Sequence, residues 1–260
     1  MCGVSYKLYD QNLIEYKLIF TLFYEDGSRG RDVLINFLGD AELKALMSDG
    51  YNAYVFISDE LKTDKYKDTE HQVCLAHVRA KFVKDRIEGG DKRADVFLDN
   101  INLLFCFERE YDREMITDEE CTRRQGLPTM EAMINLRANL LQELKSEEEQ
   151  KSCYMRGALN YFHKFWKEAF TYIKDGRYPI SNNLAERSVC PFTTKRKNSL
   201  HFGSNEEAEI AAVYHSIIST VKLQGSSVWD YLGKFFTRIF NGYRVFLSLA
   251  PQNIDLAVCQ

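Results

Sequence analysis

The sequence predicts a mixed fold of the α/β or α+β type, with strands near the N-terminus and helices over most of the remaining chain. Residues 4–9 (VSYKLY) and 14–24 (IEYKLIFTLFY) are rich in β-branched and aromatic residues and are joined by the turn residues DQN. Residues 93–174 have a helical pattern almost throughout, and only four prolines occur in the chain of 260 residues. Strands followed by a run of helices are typical of this mixed architecture.

Between these regions the pattern changes several times. Residues 35–48 (INFLGDAELKALMS) fit either a helix or a strand, and their last part indicates a strand that ends at Asp49 and Gly50. Residues 71–76 (HQVCLA) predict another short strand, which the basic helical stretch HVRAKFVKDRI follows. The segment QGLP, residues 125–128, is the clear break within the helical region.

The C-terminal third predicts two more helices. Ser204 and Glu207 form a capping box, and the helix that they open ends at Gly225. A second helix begins near Ser227. We expect the buried stripe of this second helix to consist of Trp229, Leu232, Phe236, Ile239 and Phe240.

Composition and motifs exclude several classes of protein. A net charge of −4 argues against a surface that is coated with nucleic acid throughout, although local basic patches can still bind phosphate. The seven scattered cysteines and the absence of an N-terminal apolar run indicate free thiols in a reducing cytoplasm. No segment approaches 18 uninterrupted apolar residues, so we expect no membrane span. Neither a glycine-rich phosphate loop nor a G-x-S-x-G elbow occurs.

Cys74 and His77, in the segment CLAH, have the spacing of half a zinc site. A structural zinc site needs four ligands, and the chain contains no second Cys/His pair with suitable spacing. We therefore interpret the two residues as a packed thiol and a polar histidine at a strand–helix junction.

Two acidic residues have both an ordinary and a functional interpretation. Asp49 precedes Gly50, which is a common turn pair. Glu186 falls at the third helical position if Asn183 caps a helix. The basic cluster at residues 195–197 (KRK) follows Glu186 closely. It is either a solvated surface or part of a metal-dependent site that handles phosphates.

Several segments occur in the order found in transposases of the insertion-sequence-66 family. They are SDGYNAY, CLAHVRAKF, ISNNLAERSVCPFTTKRKN, HFGSNEEAEIAAVYHSIISTVKLQG and WDYL, and YEDGSRG is similar as well. The resemblance extends from about residue 4 to residue 250 and is most specific between Asn182 and Gly225. It implies a DDE transposase with a ribonuclease-H-like core, in which three carboxylates meet at the ends of two strands and on a later helix.

The resemblance assigns roles to residues of this chain. Asp49 matches the second acid and Glu186 the third, so both are expected to be catalytic and to bind metal. The implied cofactors are two Mg²⁺ or Mn²⁺ ions, since hard cations prefer carboxylate oxygens. The residues expected to position the DNA backbone, rather than to read bases, are Arg187, Lys195, Arg196, Lys197 and Asn198.

The resemblance also implies a division into domains. Residues 1–92 are expected to form the N-terminal part of the core, and residues 93–174 a large helical insertion. Residues 175–225 would complete the core with the third acid, and residues 226–260 would form a C-terminal helical extension.

The chain departs from the family pattern at the first acid. In the family, the first acid lies in an Asp-Glu-Thr segment on the first core strand. The 260 residues contain no such segment. Asp10 is the only aspartate before the strand at residues 14–24, and we interpret it as a turn residue. We therefore expect the C-terminal portion of a transposase, which lacks the first strand, the first acid and the upstream DNA-recognition regions.

Three functions stay open at this point. The chain could cleave and transfer DNA strands if the missing acid comes from elsewhere. It could bind DNA without catalysis, or it could have a helical interaction role that is independent of DNA. The expected partners are transposon ends and target DNA, together with a second copy or a partner that supplies the missing strand. The expected location is the cytoplasm, at the nucleoid and without a membrane.

Overall fold

The computed structural model describes residues 2–8, 18–24, 30–57, 64–146, 151–187, 190 and 204–254. The chain divides into two compact units. We name Asp40–Asn182 the central unit, and Met1–Gly39 with Asn183–Gln260 the terminal unit. No helix among the described residues combines the length and the apolar character that are needed to cross a membrane.

The terminal unit begins with the predicted pair of strands. Strands β1 (Cys2–Leu8) and β2 (Leu18–Tyr24) pair antiparallel, with Ser5 opposite Thr21. The predicted turn and Asp10 lie outside the described residues. Helix α1 (Arg31–Leu38) follows and ends at Gly39, which has a φ angle of 48°. The ambiguous segment at residues 35–48 therefore contains the end of one helix and, beyond Gly39, a strand.

The C-terminal helices begin where their caps predict. A helical stretch described at residues 183–187 is labelled α8. Helix α9 (Asn205–Leu223) starts at Ser204, whose hydroxyl accepts the Glu207 N–H at 3.2 Å. Helix α9 ends just before Gly225, which has a φ angle of 70°, and it lies alongside β2. Helix α10 (Val228–Phe240) starts at Ser227, whose hydroxyl accepts the Asp230 N–H.

The predicted buried stripe of α10 is confirmed at Leu232 and Ile239, which are partly buried against the cluster around Tyr231, and is wrong at Trp229, Phe236 and Phe240. Trp229 and Phe240 are 83% and 82% exposed, whereas Tyr231 is buried and donates its hydroxyl to the Leu249 carbonyl oxygen at 3.1 Å. The 3₁₀ segment Phe246–Leu249 packs on the Tyr231 side of α10, in a cluster that includes Val221 and Ile254. Both faces of α10 carry apolar residues, so the partner that packs against the helix decides which face is buried.

The central unit contains a short parallel sheet. Strands β3 (Ala45–Ser48) and β4 (Glu70–Val73) pair with Ser48 opposite Val73, which confirms the two strands that the sequence indicates. The 3₁₀ segments Asn52–Ile57 and Asp64–Tyr66 lie between them. Helix α2 (Leu75–Lys84) begins two residues after β4, as the basic helical stretch predicts.

Five helices follow in the region that the sequence predicts to be helical. They are α3 (Ala94–Glu114), α4 (Asp118–Gly126), α5 (Pro128–Lys145), α6 (Cys153–Lys164) and α7 (Trp166–Ala169). The predicted break is confirmed, because α4 ends at Gly126 and α5 starts with Pro128 at its first position.

One apolar cluster joins α3, α5, α6 and α7 to α2. Phe82 stacks on Phe97 of α3 with ring centroids 4.4 Å apart and meets Phe162 of α6 edge to face at 6.1 Å. Leu136 and Leu140 of α5 are fully buried in the same cluster. The described fold is therefore α+β and mostly helical. The ribonuclease-H-like core and the domain boundaries at residues 92, 174 and 225 stay predictions.

A buried aspartate links the end of α2 to the start of α6. Asp85 opens a π-helical turn (Asp85–Gly89), and its Oδ1 accepts a hydrogen bond from the Ser152 hydroxyl, which also caps α6. Burial raises the pKa of Asp85, and the Ser152 hydrogen bond opposes that shift. The last residue of this turn has to be glycine, because a Cβ at Gly89 would overlap the Asp85 carboxylate and the Ser152 hydroxyl.

Candidate functional site

Asp49 lies at the carboxyl end of β3, where the parallel sheet ends. Its side chain is exposed, and Oδ1 accepts the Tyr51 N–H at 2.9 Å. This confirms that Asp49 is a turn residue. Within the described part of the chain Oδ2 has no hydrogen-bond partner, so the same carboxylate can also bind a cation.

Hydrogen bonds of the Ser48 hydroxyl connect this turn to the sheet. The Ser48 hydroxyl is buried and lies 3.0 Å from Nε2 of His71 on the neighbouring strand. The same hydroxyl oxygen accepts the Gly50 N–H at 3.1 Å. Gly50 has a φ angle of 75°, which favours glycine.

A tyrosine from α6 also binds the backbone of this turn. The Tyr161 hydroxyl donates to the Asp49 carbonyl oxygen at 2.7 Å. Burial raises the pKa of the Tyr161 hydroxyl, and the Asp49 carboxylate raises it further, so the hydroxyl stays protonated and able to donate. The position of Asp49 therefore depends on a helix more than 100 residues further along the chain.

Cys74 and His77 occupy the junction of β4 and α2. Cys74 is fully buried, and its sulfur accepts the Asn182 N–H at 3.4 Å, which confirms the packed thiol that the sequence indicates. Across the described ranges, no group of three or more His, Cys, Asp or Glu residues could hold a metal ion.

Glu186 belongs to the terminal unit, whereas Asp49 belongs to the central unit. Glu186 and Arg187 are both exposed in helix α8. Because helicity begins at Asn183, this residue lies inside the helix, and Glu186 occupies the fourth position rather than the third that a capping box requires. The meeting of Asp49 and Glu186 in one site stays a prediction.

The rest of the expected DNA contacts cannot be placed. Lys195, Arg196, Lys197 and Asn198 lie outside the described residues. Their role beside Glu186 stays a prediction from the resemblance.

The chemistry of Asp49 suits the metal that the resemblance implies. Mg²⁺ and Mn²⁺ take oxygen ligands, and Mg²⁺ typically uses one or two carboxylates together with water and substrate phosphates. Asp49 supplies one exposed carboxylate of this kind, on a turn whose backbone is held by Tyr161. The central unit thus provides one fitting ligand, and further carboxylates must complete the set.

Comparison with known proteins identifies relatives of the whole site region. The family model described as "Transposase IS66 family" matches residues 10–210, which include Asp49 and Glu186. The chain is 28% identical over 197 residues to the uncharacterized protein y4jD of Sinorhizobium fredii (strain NBRC 101917 / NGR234), a match that covers 76% of this chain and 38% of that protein. It is 26% identical over 222 residues to the uncharacterized protein y4qI of the same organism, covering 85% of this chain and 40% of that protein.

The chain therefore spans about two fifths of the length of the curated relatives it matches. No solved structure matches the chain. Since the family model covers more than half of the 260 residues, the chain belongs to the IS66 family of transposases.

Proposed function

We propose that this chain acts in DNA strand cleavage and transfer, as the part of a transposase that carries the second and third carboxylates of the site. Membership of the IS66 family indicates a function related to transposition. The observation that carries the proposal is the position of Asp49, exposed at the carboxyl end of β3 on a turn held by Tyr161. Such strand ends are where a ribonuclease-H-like core would hold its acids.

Each side chain has a role in this proposal. Asp49 and Glu186 would hold Mg²⁺ or Mn²⁺, which activates the attacking oxygen and stabilises the leaving oxygen in phosphoryl transfer. Tyr161 keeps the Asp49 turn in place through its hydrogen bond to the backbone. The DNA backbone would be held without readout of its sequence. The residues proposed for this role are Arg187, Lys195, Arg196, Lys197 and Asn198.

A complete two-metal site of this family needs three carboxylates. The resemblance identifies two of them in this chain, Asp49 and Glu186. Two divalent cations a few ångströms apart repel each other strongly, and the first acid normally offsets that repulsion. We expect another part of the transposase, or a partner chain, to supply it. DNA binding without catalysis is the second candidate function, because the first acid of the family has no match in these 260 residues.

Metal binding tests the pairing of the two acids. We expect residues 1–260 to bind Mn²⁺ weakly, and Asp49→Asn or Glu186→Gln to weaken that binding by about tenfold or more. Electron paramagnetic resonance of free Mn²⁺ measures the affinity, and Asp68→Asn, at another exposed aspartate of the central unit, is the matched control. A loss in only one of the two site variants would mean that the acids do not share an ion.

The same preparations test whether the chain cleaves DNA alone. Incubation with supercoiled plasmid and Mg²⁺ or Mn²⁺ should give no nicking. Metal-dependent nicking that disappears in both variants would support the two acids but contradict the need for a further one. Asp10 would then be the first residue to test for that role.

DNA binding tests the basic cluster. Replacing Lys195, Arg196 and Lys197 with alanine should weaken binding to duplex DNA of any sequence. The slope of log affinity against log salt should decrease by up to about 2.7, because each phosphate that is no longer neutralised contributes about 0.9. The control variant replaces three exposed cations of the central unit, Lys92, Arg113 and Lys145.

An unchanged slope would identify the basic cluster as a solvated surface. If the unmodified chain has no affinity for DNA at all, the proposed function fails. A helical interaction role would then be favoured.

A further inference from the structure

Two aromatic rings beside the Asp49 turn each carry a lysine. A Cβ at Gly50 would lie 2.8 Å from the Tyr161 hydroxyl and 2.9 Å from Cε2 of Phe165, so both rings contact the turn. The Lys81 ammonium lies 4.4 Å from the Tyr161 ring centroid, and the Lys164 ammonium lies 4.8 Å from the Phe165 centroid. Each of the two rings that contact the turn therefore also holds a lysine ammonium group.

Both lysines are exposed, and neither has a carboxylate partner within the described part of the chain. Contact with a ring face holds an ammonium group by cation–π attraction, and it restricts a flexible side chain before any ligand arrives. Both lysines stay accessible to solvent. Such a group can bind an anion at a smaller entropic cost than a freely moving surface lysine.

A third lysine extends this arrangement along α2. Lys84 is one helical turn beyond Lys81, on the same face, and its ammonium lies 4.9 Å from the Tyr154 ring centroid. Lys84 is also 3.8 Å from Glu88, an exposed ion pair that solvent screens. The cations thus begin at the Asp49 turn and continue along the surface that α2 and α6 share.

This arrangement suits the phosphates of a nucleic-acid backbone. An exposed aspartate repels a DNA strand, and the cations on the rings that contact its turn would offset that repulsion. The lysines lie over the faces of Tyr161 and Tyr154, and Phe165 is buried, so these rings offer little surface on which bases could stack. Contacts at this surface would therefore go to phosphates and would not depend on sequence.

We propose that Lys81 and Lys164, with Lys84 further along α2, bind the DNA backbone beside Asp49. This inference rests on the proposed function, and it adds a DNA-binding surface on the central unit to the predicted basic cluster at residues 195–197. It places the scissile strand against the side of the sheet that Tyr161 and Phe165 cover.

The experiment compares the full chain with Lys81→Gln/Lys164→Gln, which removes both charges and keeps the length of the side chains. Fluorescence anisotropy with a labelled duplex, across a series of salt concentrations, should show about tenfold weaker binding. The salt slope should decrease by about 1.8. Lys81→Arg/Lys164→Arg should retain both affinity and slope, because arginine keeps the charge and also stacks on aromatic faces. Lys92→Gln/Lys145→Gln, two exposed lysines of the same unit, is the matched control.

The outcomes separate this inference from the proposed function. If the unmodified chain binds DNA with a normal salt slope and Lys81→Gln/Lys164→Gln does the same, the surface assigned here is wrong while the proposed function stands. If the unmodified chain does not bind DNA, both fail. Each single glutamine variant should show about half the change in slope. If the double variant does not fold, the single variants therefore give the answer.

Discussion

Phe162→Ala should lower the free energy of unfolding of the central unit by about 3–5 kcal/mol. Phe162 is fully buried on α6. It meets Phe82 of α2 edge to face at 6.1 Å and lies 4.9 Å from the Trp166 ring. Removal of its ring would leave a cavity where α2, α6 and α7 meet, and the surrounding helices can relax only in part.

Urea denaturation followed by the fluorescence of Trp166 measures this effect. The chain contains two tryptophans, so a Trp229→Phe background restricts the signal to the central unit. Leu127→Ala is the matched control, since Leu127 is 81% exposed in the same unit and should change stability by about 0.5 kcal/mol or less. A loss below about 1 kcal/mol for Phe162→Ala would show that this ring lies outside the core.

Gly50→Ala should cost about 2–5 kcal/mol and disturb the candidate site as well. A non-glycine residue with a φ angle of 75° is strained by about 1–2 kcal/mol. The new methyl group would also lie within 3 Å of Tyr161 and Phe165, and such overpacking costs about 1–3 kcal/mol. The hydrogen bond from Tyr161 to the Asp49 carbonyl oxygen should break as the turn moves away.

Gly90→Ala separates the two causes. Gly90 has a φ angle of 67°, but a Cβ there would have no atom within 4 Å, so only the backbone strain applies. Gly50→Ala should therefore destabilise the central unit by about 1–3 kcal/mol more than Gly90→Ala. It should also weaken Mn²⁺ binding, which Gly90→Ala should leave unchanged. Equal losses of stability in the two variants would contradict the contact between the Asp49 turn and α6.

The sequence by itself determined the elements whose signals are local. Gly126 and Pro128 separate two helices because glycine and proline act on the backbone of their own residues. Ser204 and Ser227 start helices because their hydroxyls reach N–H groups only three residues away. The short apolar runs of β3 and β4 also predict strands without knowledge of their neighbours.

The sequence also located Asp49 at the end of a strand, and family resemblance supplied its expected role. It could not indicate that Tyr161 holds this aspartate, because the two residues are 112 positions apart and tyrosine on a helix usually signals packing. Lys81 and Lys164 likewise appear as ordinary charges of amphipathic helices until α2 and α6 lie side by side.

The face of α10 shows the same limit in the fold. Its sequence places apolar residues on more than one side, so periodicity alone selected the stripe that contains Trp229 and Phe240. Only the tertiary structure shows that the side of α10 with Tyr231 is buried. The segment Phe246–Leu249 returns to that side and supplies both apolar contacts and a hydrogen-bond acceptor. Local chemistry sets where an element begins and ends, whereas the choice of its buried face depends on atoms that are distant in the chain.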